Sequence, residues 1–276
     1  MGIASDKEAA RLLENVSGAL FEALNDSMAA ADVLARKLER QLEKPADAGV
    51  SDPREILTYL SVMRHDQHRI LRVAENLREL AVFGLEEAEL EKNAFDLNTL
   101  CADLIDTVHS LLPDMRLEFT PCPESCATTG DAARIERLLL NLLDNSLRHC
   151  GPGDRVAVSV RRDGEELTVV VEDNGQGLQK EALSTLYQDY LRRKEPGDAG
   201  KGVGLGLSVA ELIAEKHGGR VFLETGEEGT RAIFTMPRRW SNQLRVPAGV
   251  YGRRMRGVLT ALADVLQYQK YAPPYL

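Results

Sequence analysis

Three stretches of this 276-residue sequence carry side chains that could bind a nucleotide. In the first, the β-branched run Val169–Val171 leads to Asp173 and then to a turn containing Gly175 and Gly177. A buried strand that ends in a carboxylate beside glycines can place that carboxylate at the floor of a pocket, because glycine lets the backbone approach a ligand closely. The sequence therefore predicts that Asp173 is an acidic hydrogen-bond acceptor in a ligand pocket.

The second stretch is a glycine-rich loop ahead of a helical pattern. Its glycines alternate with other residues at positions Gly200, Gly202, Gly204 and Gly206. Free backbone N–H groups at the start of such a helix are suited to bind the oxygens of a polyphosphate. One glycine-rich loop alone is weak evidence for a nucleotide site, so the prediction depends on the three stretches occurring together.

The third stretch is a predicted helix from Arg134 to His149, with its leucines on one buried side. Four polar residues share another stripe at spacings of four, three and one: Asn141, Asn145, Arg148 and His149. Two amides, a guanidinium and an imidazole on one face can hold a hydrated cation and phosphate oxygens. The alternative interpretation is the polar outer face of an ordinary amphipathic helix.

In their order along the chain, with the helix first, the three stretches resemble the catalytic domain of sensor histidine kinases, in the ATPase superfamily shared with gyrase, the heat-shock chaperone and mismatch-repair ATPases. The segment 141–145 is similar to the family's N box, 173–177 to its first G box and 202–206 to its second. The pattern from His217 to Met236 resembles the end of that domain. The resemblance covers roughly residues 94–237.

The resemblance implies ATP and Mg²⁺ as cofactors. It implies that Asp173 accepts a hydrogen bond from the adenine amino group, with Thr230 nearby, and that Asn141 binds Mg²⁺ through its amide oxygen. The other motif residues would surround the phosphates: Asn145, Arg148, His149, Gly175, Gly177, Gly202, Gly204 and Gly206. An alternative role for His149 is packing against the nucleotide sugar. Residues 178–201 are the predicted lid over the nucleotide.

One position in the third stretch separates the reactions of this superfamily. Its hydrolases carry a glutamate one helical turn before the equivalent of Asn145, where it activates water. This sequence has Asn141 there, and an amide cannot act as a general base. The sequence therefore favours phosphoryl transfer to a protein side chain over ATP hydrolysis.

The residues ahead of this domain predict an antiparallel helical hairpin. Apolar and small residues recur every three or four positions from Lys7 to Glu43, and the pattern resumes in a helix that begins at Pro53 with Asp52 as its N-cap. The segment 44–51 breaks the pattern. Apolar residues left outside this seam predict that a second hairpin packs against the first, which would give a dimeric four-helix bundle.

The predicted fold class is α+β, with three parts. A helical hairpin for dimerisation spans 1–92, an α/β-sandwich ATP-binding domain spans 93–239, and a C-terminal extension with one helix spans 240–276. The segment 254–269 predicts an amphipathic helix whose inward residues are Val258, Leu259, Leu262 and Leu266. Two interpretations of this helix stay open: it docks on its own ATPase domain, or it presents a surface to a partner.

The hairpin resembles the dimerisation and phosphoacceptor domain of histidine kinases, with one departure. The family's first helix usually carries the reactive histidine, but the matching residue here is Gly18 and the helix has no histidine. In the second helix, His65 precedes Asp66, whose carboxylate can accept the ring N–H and strengthen the nucleophile. The Arg-His-Asp sequence also resembles the phosphoacceptor motif of another histidine-kinase subfamily.

The position of His65 supports two interpretations. It is predicted to project away from the apolar seam into solvent, as a phosphoacceptor must. It also lies about twelve residues, or on the order of 18 Å, nearer the hairpin turn than the partner of Gly18 in the second helix. The alternative is that His65 and His68 are ordinary surface histidines.

Two functions follow from these observations. The first is a kinase that phosphorylates itself on His65 or His68 and passes the phosphate to the receiver domain of a response regulator. It would act as a homodimer, with a separate sensor or membrane protein as a further candidate partner. The second is a degenerate kinase, a dimeric regulator that binds ATP without phosphorylating itself.

The composition predicts a cytoplasmic protein that does not bind nucleic acid. The formal net charge is -9, with 43 acidic and 34 basic residues. The sequence has no signal peptide and no run of about 18 apolar residues, so no segment is expected to cross a membrane. The cysteines are expected to be reduced thiols, since they lack zinc-site spacing: Cys101, Cys122, Cys126 and Cys150.

Overall fold

A computed structural model describes residues 27, 53–84, 89–175, 205–226, 229–239 and 254–271. The predicted first helix (7–43), apart from residue 27, the break at 44–51, Asp52 and the predicted lid (178–201) lie outside the described residues. In the part of the chain that is described, no helix is long and apolar enough to span a membrane.

The secondary structure elements follow one another as a long helix, a mixed set of strands and helices, and a short helical tail. In chain order they are α1 (Pro53–Gly84), β1 (Asn93–Asp96), α2 (Leu97–Leu111), β2 (Arg116–Thr120), β3 (Ala127–Gly130), α3 (Ala132–His149), β4 (Arg155–Asp163), β5 (Glu166–Asp173), α4 (Leu205–Lys216), β6 (Arg220–Gly226), β7 (Gly229–Pro237), α5 (Arg254–Ala261) and a 3₁₀ helix (Tyr268–Tyr271).

The described residues divide into two compact units that differ from the predicted boundaries at 92 and 239. The first unit contains residues 53–77 and 255–271, and the second contains the described residues between 78 and 254. The described tail therefore belongs with α1 rather than with the ATPase domain, and the last turns of α1 belong with the sheet. We call these the helical unit and the sheet unit.

In the helical unit, the tail helix is shorter than the sequence predicted. The predicted helix over 254–269 ends as α5 at Ala261, although its four predicted inward residues are all buried. Two carbonyls in this region accept hydrogen bonds from distant side chains: Ala263 O from His65 and Leu259 O from Tyr271. Side chains from elsewhere in the chain therefore bind backbone carbonyls that a longer helix would have paired with its own N–H groups.

The sheet unit contains a five-stranded mixed sheet with the order β2-β4-β5-β7-β6. β2 and β4 are parallel, the other pairs are antiparallel, and β1 pairs with β3 in a separate two-stranded sheet. The hairpin of β4 and β5 turns at Gly164, which has a φ of 58° that favours glycine. This arrangement confirms the α+β class, while the helical hairpin stays a prediction.

The core lies between the sheet and three helices, α2, α3 and α4. Successive strand residues point to opposite faces, so every second residue of β4, β5 and β7 faces the helices. The strand residues buried on this face include Val156, Val158, Val160, Leu167, Val169, Val171, Ala232, Phe234 and Met236. All six residues predicted on the buried side of α3 are buried: Leu138, Leu139, Leu142, Leu143, Ser146 and Leu147.

Alternating charges form a row across the other face of the sheet. Arg155 Nη1 lies 3.2 Å from Glu118 Oε2, and its Nη2 lies 3.5 Å from Glu172 Oε1. Arg231 continues the row, with Nε 3.1 Å from Glu172 Oε2 and Nη1 3.0 Å from Glu224 Oε2. Exposed and partly exposed ion pairs of this kind contribute little to stability, so the row marks a hydrated face rather than a source of stability.

The start of α3 is fixed by a buried carboxylate and its neighbours. Asp131 is the N-cap residue, and its Oδ1 accepts the N–H of Arg134 at 3.2 Å. This cap starts the helix at Ala132, two residues before the predicted start. The Arg134 guanidinium also lies 3.5 Å from Glu79 at the end of α1, and Arg137 lies 3.9 Å from the same carboxylate. Two cations thus compensate the desolvation of Glu79, which is 5% exposed.

His217 at the end of α4 is a buried structural histidine. Its Nε2 accepts the N–H of Asp131 at 3.0 Å, and its Nδ1 donates to the Ile213 carbonyl at 2.8 Å. These two bonds fix the neutral tautomer with hydrogen on Nδ1. Burial lowers the pKa of this imidazole, against a smaller opposing effect of the Ile213 carbonyl and Asp131.

We expect His217 to make the protein less stable in acid. Because its folded-state pKa is depressed, its contribution is complete above the unfolded pKa of about 6.5 and is lost as the pH falls towards the folded pKa. In His217→Gln, whose amide oxygen can still accept the Asp131 N–H, the free energy of unfolding should fall less between about pH 7.5 and 5.5. Urea unfolding at both pH values measures this difference, and an equal loss in the two proteins would contradict it.

Candidate functional site

Asp173 lies at the end of β5 with one carboxylate oxygen satisfied and one left open. Its Oδ1 accepts the N–H groups of Gly175 and Thr230, each at 3.3 Å. The carboxylate is 3% exposed, and its Oδ2 is buried without a hydrogen-bond partner in the described part of the chain. A buried oxygen that lacks a donor is costly. This site is therefore suited to a ligand that brings an N–H donor, such as the adenine amino group.

Strand register explains why Thr230 lies next to Asp173. The two residues are direct partners in the antiparallel pair of β5 and β7, although they are 57 positions apart in the sequence. Thr230 is 6% exposed, and its hydroxyl lies 3.5 Å from that of Thr225. Thr230 therefore contributes a backbone donor that holds Asp173 in place, as well as a hydroxyl near the carboxylate.

Asn141 provides the second polar group of the site. It lies in the middle of α3, is 6% exposed, and its Nδ2 has no hydrogen-bond partner among the described residues. A Cβ added to Gly206, at the start of α4, would lie 3.2 Å from the Asn141 Oδ1. The glycine thus brings the backbone of α4 close to this amide. Asn145, one turn further along α3, is only partly buried.

The end of the predicted polar stripe is arranged differently from its start. Arg148 Nε lies 2.8 Å from Asp144 Oδ2, an ion pair between adjacent turns of α3. His149 is exposed at the last helical position. Along the stripe, the Asn141 amide is buried and the Asn145 amide is half-buried. Arg148 follows them and is already oriented by Asp144. Asp144, which the sequence reasoning did not select, could have been found from its i,i+4 spacing to Arg148.

Two glycines allow the backbone to close around Asp173. A Cβ at Gly175 would lie 2.2 Å from the His149 carbonyl oxygen, and one at Gly229 would lie 1.9 Å from the Asp173 carbonyl oxygen. Gly229 also has a φ of 121°, outside the range of other residues. Sequence reasoning assigned no site role to Gly229. The other predicted site glycines, Gly177, Gly202 and Gly204, lie outside the described residues.

Cys150 lies beside this site without the properties of a nucleophile. It follows α3, is partly buried, and its pKa is raised to about 11, mainly by burial and further by the negative charge of Asp173. A thiol that is protonated at neutral pH is neither a good nucleophile nor a metal ligand. Sequence reasoning expected a reduced cysteine here, and the structure places it next to the pocket.

The donor set fits a cation that is shared with a phosphate ligand. Among the described residues, no group of three or more His, Cys, Asp or Glu side chains could hold a metal ion. Asn141 offers one neutral amide with a buried nitrogen that lacks a partner. Mg²⁺ keeps several water ligands and typically uses one or two protein oxygens together with substrate phosphates, which agrees with such a sparse site.

His65 and Asp66, the predicted phosphoacceptor pair, lie in the helical unit. The His65 side chain is 21% exposed rather than free in solvent, because Ala263 and Tyr271 contact it. Its Nε2 lies 2.7 Å from the Ala263 carbonyl oxygen, and its Nδ1 lies 3.7 Å from Asp66 Oδ1. His68 is likewise bound, with Nδ1 2.8 Å from the Thr260 hydroxyl. Neither histidine is an isolated surface group.

Residues 130–239 match the family model described as histidine kinase-, DNA gyrase B- and HSP90-like ATPase. The sensor protein SrrB of Staphylococcus aureus is 26% identical over 205 residues, a match that covers 73% of this chain and 35% of SrrB. The chain thus spans about a third of the length of that relative. These matches confirm the resemblance to sensor histidine kinases and their ATPase superfamily.

Solved structures agree with the fold. The Acinetobacter baumannii histidine kinase AdeS has a TM-score of 0.54 at 18% identity, covering 76% of this chain and 95% of that one. The histidine kinase ThkA, in complex with the response regulator protein TrrA, has a TM-score of 0.53 at 18% identity, covering 86% of this chain and 67% of that one. At this level of identity, the likeness concerns the fold alone.

Replacing Gly175 tests whether this glycine is needed for close backbone packing against His149 or only for flexibility of the loop. We expect Gly175→Ala to lower the free energy of unfolding by about 2 kcal/mol or more, because the new Cβ collides with a backbone carbonyl that cannot move independently. Gly151→Ala is the matched control, since its Cβ would come no closer than 3.7 Å to Asp154 Oδ2. Urea unfolding of both variants measures the effect. Equal stabilities would contradict close packing at Gly175.

Proposed function

We propose that this protein, whose residues 130–239 belong to the histidine kinase-, DNA gyrase B- and HSP90-like ATPase family, is an ATP-dependent protein histidine kinase of a two-component signalling system. The single observation that carries the nucleotide part is the buried Asp173 Oδ2 without a partner in the described residues. The adenine amino group is a donor of the right kind for it. The similarity to sensor proteins supports the kinase part.

In this proposal, different motif residues among those described bind different parts of the nucleotide. Asp173 and Thr230 hold the adenine, Asn141 binds Mg²⁺ through its amide oxygen, and Mg²⁺ when bound neutralises charge on the phosphates. Asn145, Arg148 and His149 lie along α3 beyond Asn141 and would contact the phosphates. Arg148 would do so while it remains oriented by Asp144.

Phosphoryl transfer fits the residue types better than hydrolysis. A water molecule attacks phosphorus efficiently when a general base takes its proton, and Asn141 occupies the position where the superfamily's hydrolases carry a glutamate. An amide has no basic lone pair of the required strength. The acceptor would therefore be a protein side chain that is itself a nucleophile at neutral pH, which favours an imidazole.

His65 is the proposed acceptor. The lone pair of an unprotonated Nε2 would form the bond to the γ-phosphorus, the bond from phosphorus to the bridging oxygen would break, and ADP would leave with that electron pair. The ring proton would stay on Nδ1, which faces Asp66 Oδ1 at 3.7 Å. That distance is longer than a hydrogen bond, so Asp66 would have to approach during transfer, as catalytic contacts often tighten only in the reacting complex.

The remaining parts of the proposal concern partners and location. The phosphate would pass from His65 to an aspartate in the receiver domain of a response regulator, and the helical hairpin would form a homodimer. The structure of the histidine kinase ThkA in complex with a response regulator protein supports this class of partner. A cytoplasmic location, a separate sensor or membrane protein as partner, and the absence of nucleic-acid binding belong to the same proposal.

A second candidate function is a degenerate kinase that binds ATP and dimerises without phosphorylating itself. Two observations favour it. The predicted first helix has Gly18 at the family's histidine position and contains no histidine. In addition, the Nε2 of His65 is already bonded to the Ala263 carbonyl. Labelling with γ-labelled ATP separates this candidate from the kinase.

Asp173→Asn tests the nucleotide site with minimal disturbance. The asparagine Oδ1 can still accept the Gly175 and Thr230 N–H groups, but its Nδ2 is a donor that faces the adenine amine in place of an acceptor. We expect ATP affinity to fall roughly thirtyfold, or about 2 kcal/mol, in isothermal calorimetry. Asp163→Asn, the same change at an exposed strand end, should leave affinity unchanged. Unchanged affinity in Asp173→Asn would refute the site assignment.

The phosphoacceptor is tested by the chemistry of the labelled protein. After incubation with γ-labelled ATP, we expect acid-labile, base-stable phosphate in the unaltered protein and none in His65→Gln, with ATP affinity retained. Asp66→Asn should slow labelling by roughly 10²-fold, as expected for lost acid–base assistance. Labelling that survives His65→Gln together with His68→Gln would exclude both histidines. No labelling in the unaltered protein, despite ATP binding, would favour the degenerate kinase.

A further inference from the structure

Residues 258–271, which we call the cap, bind the reactive edge of His65. The Nε2 of His65 lies 2.7 Å from the Ala263 carbonyl oxygen. A carbonyl oxygen can only accept, so this Nε2 must carry the hydrogen. A ring nitrogen that carries hydrogen has its lone pair in the aromatic system and cannot attack phosphorus. The docked cap therefore holds the proposed nucleophile in an unreactive tautomer and covers it.

A single buried tyrosine of the cap contacts both histidines of α1. The Tyr271 ring centroid lies 5.1 Å from that of His65 and 5.0 Å from that of His68. Its hydroxyl donates to the Leu259 carbonyl at 2.8 Å, so the cap itself fixes the ring. His68 is engaged a second time through the Thr260 hydroxyl, 2.8 Å from its Nδ1. The cap thus contacts both candidate acceptors at once.

Two arginines of α1 hold the cap through one carboxylate. Arg69 Nε lies 3.1 Å from Asp264 Oδ1, and Arg72 Nη1 lies 2.6 Å from Asp264 Oδ2. The three side chains are 30%, 11% and 25% exposed, respectively, so this ion-pair cluster is only partly screened by water. Its position, one and two turns beyond His65 on α1, sets the register of the cap over the histidines.

Apolar burial gives the docked cap its stability. Five apolar cap residues besides Tyr271 are at most 3% exposed: Val258, Leu259, Leu262, Ala263 and Leu266. Burial of apolar area is the main favourable contribution to such docking. Asp264 supplies the ion pairs of the cap to Arg69 and Arg72. A change at Asp264 therefore weakens docking without removing apolar side chains.

We propose that the cap is an autoinhibitory element that blocks phosphorylation of His65 until it is withdrawn from α1. This inference rests on the proposed role of His65 as phosphoacceptor. Withdrawal removes the Ala263 acceptor from Nε2, so the ring can take the tautomer with hydrogen on Nδ1, beside Asp66. The free Nε2 lone pair can then bond to the γ-phosphorus as ADP leaves with the electrons of the broken bond.

The test compares initial rates of phosphohistidine formation in full-length proteins at saturating γ-labelled ATP. Asp264→Arg places a third positive charge against Arg69 and Arg72, and Tyr271→Ala removes the ring from both histidines. Each variant should be labelled at least about tenfold faster than the unaltered protein, because the rate scales with the uncapped fraction. Tyr268→Ala, a partly buried ring on the same 3₁₀ helix, is the matched control and should keep the original rate. ATP affinity, measured by calorimetry, should be equal in all four.

The possible outcomes separate the cap from the phosphoacceptor. Faster labelling of both variants, abolished by adding His65→Gln, supports the cap and the acceptor together. Labelling at His65 with equal rates in all proteins overturns the cap and leaves the proposed function standing. Fast labelling that persists after His65→Gln overturns His65 as the blocked group. No labelling in any protein, with ATP bound, overturns the proposed function and the inference that rests on it.

Discussion

The proposed nucleotide pocket depends on how closely three backbone segments approach one another around Asp173. The end of β5, the start of β7 and the end of α3 meet there, and no side-chain atom fits between them at Gly175 or Gly229. This closeness lets two backbone N–H groups bind the same carboxylate oxygen, which orients the carboxylate and leaves its other oxygen without a partner among the described residues. The glycines therefore permit close packing of the backbone, and this packing in turn positions the Asp173 carboxylate as an acceptor for a ligand.

α3 transmits this constraint to the rest of the sheet unit. Its C-terminal end packs on Gly175, its middle carries Asn141, and its N-cap Asp131 binds both Arg134 and His217. Arg134 in turn reaches Glu79 at the end of α1. A displacement at the end of α1 would therefore shift the position of α3, the helix that carries Asn141. The connection runs through contacts between charged side chains rather than through a flexible loop.

Strand positions in the sheet unit could be predicted from sequence because alternating burial leaves a period of two, as in β4 and β7. The proposed role of Asp173 as a site residue rests on a buried run that ends in a carboxylate. Two other features depend on contacts between residues far apart in the sequence, so no local pattern predicts them. α5 ends at Ala261 in a tail whose Ala263 carbonyl is bound by His65, 198 residues away. The unpaired state of Asp173 Oδ2 depends likewise on the pairing of β5 with β7. By contrast, the i,i+4 spacing of Asp144 and Arg148 is a local signal that could have predicted their ion pair from the sequence.

Two histidines of this chain show how hydrogen bonding decides the role of an imidazole. His217 has both nitrogens bonded to backbone groups and is 3% exposed, so neither nitrogen can react while the sheet unit is folded. His65 has one nitrogen bonded to a backbone carbonyl and the other facing a carboxylate at 3.7 Å. The bond that blocks it comes from the cap, which belongs to the helical unit. Moving the cap would therefore change the chemistry of His65 while the sheet unit keeps its fold, a freedom that His217 does not have.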